Sequence, residues 1–455
     1  MHIRHMLSRR DFLTRMSAGL GGIAVGSLGT LGHAKQPHFE PKAKRVIFLF
    51  QNGGPSQVDL FDPKPELAKR HGQKPGEGYI NTVDIKKTGA WLGSPFQFKA
   101  HGESGMVLSE LLPGLAGHVD RIALVRSMVT IHSNHEQAIW NFNTGSIQPG
   151  RPSLGSWVTY ALGTENQNLP AFVAIMNPKG LPVDGVRNFS NGWMAPVYNG
   201  FPVRAEGTPV INLDPGEPET AAARLELVQK LNREHFRTRS DRQELDARIQ
   251  SFELAARMQI AASDAMDLGK EPQAAHDLYM TADKDAGIHG RQLLLARRLV
   301  ERGVRFVQVL HNGQPWDTHQ KNESGHRDIA RKTDGPTAAL LTDLDRRGLL
   351  KDTLVVWSGE FGRTPMSEGK DGRDHHKFSF SLWMAGAGVK PGVTYGATDD
   401  FGYHSVDQIV TVPDFHATLL HLLGLDADRL IYPHGTREEK LTDVNPAKIV
   451  RSILA

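Results

Sequence analysis

The sequence predicts an α/β protein with a central, largely parallel sheet flanked by helices. Two observations carry this. Apolar runs of strand length recur without the polar alternation of a half-exposed strand, which suits central strands covered on both faces. Helical patterns fall between those runs, as the crossovers of a parallel sheet require. In chain order the runs are Arg45–Phe50, Arg121–Val125, Ala171–Ile175, Val304–Leu310, Thr353–Trp357 and Phe380–Met384. A helix over Arg291–Arg302 leads into the fourth run, and one over Pro336–Arg347 leads into the fifth. Asp414 reads as the cap of a helix over Phe415–Leu423 that stops at Gly424. Residues 219–268 are rich in Ala, Leu, Glu and Arg with helical spacing at Leu225, Val228, Leu231, Leu245, Ile249 and Phe252. They read as a helical insertion of two long surface helices at about 218–268, with loop or linker at 269–287. Segments 63–105 and 176–217 are rich in Gly, Pro and Asn and read as surface excursions. No internal repeat stands out.

The N-terminus reads as an address. Ser8-Arg9-Arg10-Asp11-Phe12-Leu13 matches a twin-arginine export signal, followed by an apolar, Gly-rich stretch from Met16 to Leu31 and small residues up to Ala34. The expectation is a signal at 1–34, a periplasmic or extracellular destination and a main domain at 40–455. The Gly-interrupted stretch is too weakly apolar for a spanning helix of about 20 apolar residues, and no second candidate span occurs, so no permanent membrane span is expected after processing.

Composition excludes several chemistries. The 455 residues are 39% hydrophobic and 23% charged, ordinary for a globular chain. The formal charge of +3 is matched by residues 1–34 alone, where Arg4, Arg9, Arg10 and Arg15 face only Asp11. The remainder is close to neutral, so a nucleic-acid partner is not indicated. With no cysteine there is no disulfide, no thiolate ligand and no Cys nucleophile. The 21 histidines, by contrast, cluster.

The clusters follow the strands. After the first run comes Gln51 through Asp62, with Asp59 and Asp62. After the second come His132, Ser133, Asn134, His135 and Glu136, opening a helix that reaches Thr144-Gly145. After the fourth come His311, Trp316-Asp317-Thr318-His319 and His326, and after the fifth Glu360, Arg363 and Asp374-His375-His376. In an open parallel sheet, ligands bind beyond the carboxyl ends of the strands. Carboxylates and imidazoles gathered there from four strands suit a divalent ion, which needs three or four converging N/O ligands. Any one cluster alone is more often a solvated loop. Gly53-Gly54 reads as a tight turn rather than a phosphate cradle, because neither dinucleotide nor P-loop spacing is present. His416 and His421, on an apolar helix, read as packed or as supporting a ligand.

The order of motifs resembles the alkaline phosphatase and sulfatase superfamily, and more closely its exported branch known as domain of unknown function 1501. The carriers are Gly53 through Pro65, Asn134-His135-Glu136 with Thr144-Gly145, Trp316-Asp317-Thr318-His319, Ser358 through Pro365, Gly372-Arg373-Asp374-His375-His376 and Gly396 through Gly402. They span nearly the whole chain after the signal. The resemblance implies an alkaline-phosphatase-like sheet with metals at the strand ends. It also exposes departures. Active members carry Ser, Thr or formylglycine where the count back from Thr144 lands on His135; Ser133 is nearby and Thr130 is the runner-up. Glu360-Phe361 stands where many relatives have Asp-His, and Gln57 where the closer branch usually has His.

Within that frame the expected metal ligands are Asp317, His319 or His326, and His375 or His376, a mixed imidazole–carboxylate set suited to Zn. A second, oxygen-rich position would rest on Asp59 or Asp62 with Glu360 and would suit Ca or Mg. His135 and Ser133 are the expected catalytic residues, and Arg363 and Arg373, with Lys377, the expected anion holders. The implied function is metal-assisted hydrolysis of a sulfate or phosphate ester of a small molecule or polysaccharide fragment. The alternative is an exported, catalytically degenerate protein that binds carbohydrate or an anion and keeps a structural metal.

Overall fold

The first apolar run sets the architecture. Strand β1 (Arg45–Phe50) is buried along nearly its whole length, and its side chains divide between two cores by alternation. Ile47 and Leu49 join one cluster, Val46, Phe48 and Phe50 the other, on opposite faces of the sheet. The computed structural model describes residues 36–207 except Thr82 and Gln167, residues 264–455, and Leu227, Lys230, Leu231 and Glu234. The expected export signal at 1–34 and nearly all of the expected helical insertion at 218–268 lie outside the described residues.

The other strands of the main sheet are β2 (Ile122–Val129), β3 (Phe172–Met176), β4 (Phe201–Arg204), β5 (Phe306–Leu310), β6 (Thr353–Ser358), β7 (Phe380–Ala385), β8 (Val393–Tyr395) and β9 (Val410–Thr411). Their order is β8-β2-β7-β6-β1-β5-β3-β4, with β9 also paired to β2. Every pairing is parallel except those of β7, which runs antiparallel to both β2 and β6. The carboxyl ends of β1, β2, β5 and β6 therefore share one edge.

Helices cover both faces. Helices α1 (His135–Thr144), α2 (Leu154–Leu162) and α5 (Val412–Leu422) pack on the Phe48 face through Phe142, Trp157, Phe415 and Leu419. Helices α3 (Gly287–Glu301) and α4 (Asn322–Arg346) pack on the Ile47 face through Leu293, Leu294, Leu340 and Leu341. Among the described residues, no helix is long and apolar enough to cross a membrane.

Two boundaries differ from the sequence reading. Pro336 does not start α4 but lies inside it, 14 residues beyond its first residue. A proline there forfeits one backbone hydrogen bond and strains the preceding turn; packing of Ile329 and Ala330 before it, and Leu340 and Leu344 after it, into one core keeps both halves in register. At α5 the cap is Thr411 rather than Asp414. Thr411 Oγ1 accepts from the Asp414 amide at 3.3 Å and Asp414 Oδ2 accepts from the Thr411 amide at 2.9 Å, a capping box.

Candidate metal centre

The turn after β1 brings the first two strand ends together. Gly53 has φ 109°, a conformation open to glycine, and a Cβ there would sit 2.7 Å from the Asp317 backbone nitrogen. The chain after β5 is thus laid directly against the chain after β1, and Trp316 donates its amide to the Asn52 carbonyl at 3.3 Å. After β6, Gly362–Arg363 pairs antiparallel with His375–His376, which sets His375 opposite Arg363. The loop after β2 opens α1 with His135 at its first turn.

Three of these strand ends, those of β2, β5 and β6, deliver three imidazoles to one carboxylate. His135 Nε2 lies 3.5 Å from Asp317 Oδ2; His319 Nε2 lies 3.1 Å and His375 Nε2 3.4 Å from Asp317 Oδ1. The two ring nitrogens His319 Nε2 and His375 Nε2 face each other at 3.0 Å. Each imidazole is anchored through its other nitrogen. His135 Nδ1 pairs with Glu360 Oε1 at 2.6 Å, His375 Nδ1 with the Ser133 carbonyl at 2.8 Å, and His319 Nδ1 with Glu368. When Nδ1 carries the proton donated to those oxygens, the lone pair is on Nε2, and all three lone pairs converge. Metal-binding histidines are held in this way, the distal N–H fixed by a carboxylate or carbonyl.

The charges support a cation. Burial opposes ionisation of Asp317, but hydrogen bonds from His135, His319 and His375, with Arg363 beside it, hold its carboxyl far below the usual range. Burial likewise disfavours a charged His135, yet its bonds to Asp317 and Glu360 prevail and raise it; the bond to Asp317 raises His319. The carboxylates thus draw positive charge onto His135 and His319, charge that a metal ion would supply instead, while burial pushes His375 down to about 4 and keeps it neutral. His135 Nε2 is buried with no partner closer than its long, 3.5 Å approach to Asp317 Oδ2, as suits a ligand atom. Ligand atoms of His135, Asp317 and His375, and of His319, Asp374 and His375, lie within 4.8 Å of one another. An imidazole-rich donor set of this kind fits zinc or a similar transition metal.

Of the expected ligands, Asp317, His319 and His375 are brought together, with His135 joining them and Glu360 behind His135. His326, His376, Asp59 and Asp62 are not. His326 is fully buried in α4, accepting from the Ser56 amide at 3.2 Å and donating to the Asn322 carbonyl at 3.1 Å, and burial pushes it down to about 4. His376 turns to the other side of its two-residue strand and donates to the Tyr403 carbonyl at 2.5 Å. Asp59 is paired with Arg373 at 2.7 and 3.1 Å, and Asp62 with Lys64 at 3.1 Å and Arg126 at 3.4 Å. The expected oxygen-rich second position is therefore not assembled.

The anion holders are also placed differently. Arg363 and Arg373 are both 0% exposed. Arg363 donates to the carbonyls of Gly53, Gly54 and Arg373 and to Asp317, and Arg373 to Asp59, Thr364 and Leu92. They brace the site from inside rather than reach outward for a ligand. The Lys377 ammonium lies over the Phe378 ring at 5.3 Å. Ser133 contributes its carbonyl, and Thr130 Oγ1 accepts from Asn141 at 3.1 Å. His416 is packed, donating to the Phe142 carbonyl at 2.8 Å. Sequence reading missed Glu368 as a partner of His319. It stands 49 residues away, inside a loop with no local pattern to mark it.

A solved protein of the alkaline phosphatase superfamily from Vibrio parahaemolyticus is 13% identical over 88% of this chain and 71% of its own, with a TM-score of 0.37. The lipoteichoic acid synthase LtaP from Listeria monocytogenes is 10% identical over 89% and 78%, with a TM-score of 0.36. The PsFucS1 sulfatase from Pseudoalteromonas sp. is 11% identical over 91% and 70%, also at 0.36. No curated protein matches the chain. The family model described as "Protein of unknown function (DUF1501)" matches residues 43–454, from the first strand to the penultimate residue, and the chain belongs to that family.

Proposed function

We propose that this chain is a metal-dependent hydrolase of an anionic ester, a sulfate or phosphate ester of a small molecule or polysaccharide fragment. The observation that carries the reading is the convergence of the Nε2 atoms of His135, His319 and His375 on Asp317, each ring anchored at Nδ1. Three imidazoles and a carboxylate favour zinc. When bound, such a cation supplies Lewis acidity, polarising an ester oxygen and lowering the pKa of water toward about 7.

The chain's own residues do the rest. Glu360 holds the His135 proton at Nδ1, and the Gly53 amide fixes Glu360 in turn at 3.0 and 3.2 Å from its two oxygens. Arg363 takes one side of Asp317 Oδ1 at 2.6 Å, leaving the remaining lone pairs of the carboxylate for the cluster. Phe361, fully buried, lies 4.8 Å from the rings of both His135 and His375 and keeps water from that side. His135 occupies the first turn of α1, where active relatives of the superfamily carry a hydroxyl or formylglycine, so water rather than a side chain is the attacking group in this reading.

The test is metal analysis of the purified protein, then aryl sulfate, phosphomonoester and phosphodiester substrates with and without chelator. Chelation, Asp317→Ala and His375→Ala are each expected to abolish turnover; activity that survives both substitutions sinks the reading. A second reading, an anion- or carbohydrate-binding protein with a structural metal, is favoured by the internal commitment of Arg363 and Arg373, which leaves neither guanidinium facing a substrate. Stoichiometric metal without turnover on any ester supports it.

A further inference from the structure

We infer that the site holds one divalent cation per chain rather than a pair, because the two ligand groups share His375 and the carboxylates around them are already committed to other partners. The inference rests on the metal reading above but not on turnover.

The two overlapping ligand groups both draw on His375. Its Nδ1 is committed to the Ser133 carbonyl at 2.8 Å, so only Nε2 remains, and one lone pair binds one ion. His319 is limited in the same way by its Nδ1 bond to Glu368. With the two Nε2 atoms 3.0 Å apart, the groups describe alternative positions of a single ion. Asp374 is partly engaged already, its Oδ1 accepting from the His375 amide at 2.7 Å.

The surroundings close off a second position. Beyond His135 and His375 the next side chain is Phe361, wedged so tightly that a Cβ on Gly54 would lie 2.6 Å from its ring. Phenylalanine offers no donor, and Glu360 beside it is already shared between His135 and the Gly53 amide. Asp59, expected to hold a second position, meets Arg373 through both carboxylate oxygens and also accepts from Ser56 Oγ at 2.6 Å and Asn322 Nδ2 at 2.9 Å. Asp59 and Arg373 are both 0% exposed. The guanidinium stands where a cation would otherwise compensate the carboxylate. A buried charge already matched and fully hydrogen-bonded gains little from an added ion, and inserting one would strand Arg373. Asp62 is balanced likewise by Lys64 and Arg126.

The experiment strips the full chain with chelator, reloads it with Zn²⁺ or Co²⁺, removes excess ion and counts metal per chain by mass spectrometry. The Co²⁺ form is titrated in parallel by its visible absorption, which reports the site without any substitution. One ion per chain, with the Co²⁺ spectrum saturating at one equivalent, is the expected result. Loss of that ion in His375→Ala and in the milder His375→Gln ties it to this cluster. Two ions per chain, or a biphasic Co²⁺ titration, overturns the inference while leaving the hydrolase reading intact. No bound ion overturns both. One ion without turnover leaves this inference standing and overturns only the hydrolase.

Discussion

Glu360 illustrates how much of the site depends on side chains that touch no substrate. It is 0% exposed, and its oxygens serve both His135 Nδ1 and the Gly53 amide. Glu360→Gln keeps the volume but leaves one carbonyl oxygen for two donors and sets an NH₂ against one of them. His135 then loses its preferred orientation and basicity, and metal affinity is expected to fall about 10–100-fold, the usual effect of disturbing a ligand's outer partner. Competition with a chromophoric chelator at neutral pH measures this; unchanged affinity would mean that His135 is not a ligand. The same scale explains what could be read in advance. Asp317 was legible because it follows a strand end, but His319 stood as an alternative to His326, and only the burial of His326 within α4 separates the two. His375 and His376 were not separable, because their position beyond the strand fixes the edge of the sheet but not the side-chain direction. In a two-residue strand neighbours point opposite ways, and only the pairing with Gly362–Arg363 sends His375 to the cluster and His376 to Tyr403. Arg363 and Arg373 looked like solvent-facing anion holders for a related reason. Nothing local announces that Gly53, Gly54, Leu92 and Thr364 will point carbonyls at them.

Helix α4 shows where element-level reading fails and what the fold gains from the failure. A proline read as a helix start is sound when local preference decides, but α4 continues through Pro336 because its two halves share one core. Just before it, Asp334 caps a different element. Its carboxylate accepts from the Gly114 amide at 2.6 Å and the Leu115 amide at 2.9 Å, at the start of the short helix Pro113–Ala116. Burial outweighs those bonds and pushes the carboxyl up to about 6. Asp334→Ala removes both acceptors and leaves buried amides unpaired, so a loss of about 2 kcal/mol is expected. Asp334→Asn keeps one acceptor and removes a charge that burial disfavours, so it is expected to stay within about 1 kcal/mol of the parent at neutral pH. Urea midpoints at unchanged m-value decide between them. Equal losses in the two variants would show that the charge, not the acceptor, holds the short helix. The motif Gly396–Gly402 belongs to this scale too: Asp399 accepts from the amides of Phe401, Tyr403 and His404 at 2.8–3.1 Å, organising a loop rather than a ligand site.

Across the whole molecule the fold was legible because long, doubly covered strands write themselves as unbroken apolar runs, whereas the histidines divide by burial, which sequence does not display. Five of them lie in the interior away from the cluster and help set how the protein responds to acid, among them His326 and His376, each pushed by burial to about 4. His289 and His311 stack at 5.1 Å, with burial pushing them down to about 4 and about 3, and His416 is pushed by burial to about 4. Their folded values lie below the ordinary value near 6.5, so between about pH 6.5 and 4 the unfolded chain binds protons that the native one refuses. Stability must therefore fall as pH drops through that window. Integrated from pH 6.5 to 5, each such histidine costs about 1.5 kcal/mol, partly offset by Asp334, whose raised value makes its contribution run the other way. Urea midpoints of chelator-treated protein, measured from pH 6.5 to 5 so that metal loss does not enter, are expected to decline steadily. His416→Gln keeps a donor for the Phe142 carbonyl but cannot titrate, and should reduce that decline by roughly one histidine's share. A midpoint that is flat across the window, or a decline untouched by the substitution, would mean that these imidazoles are reached by protons without unfolding.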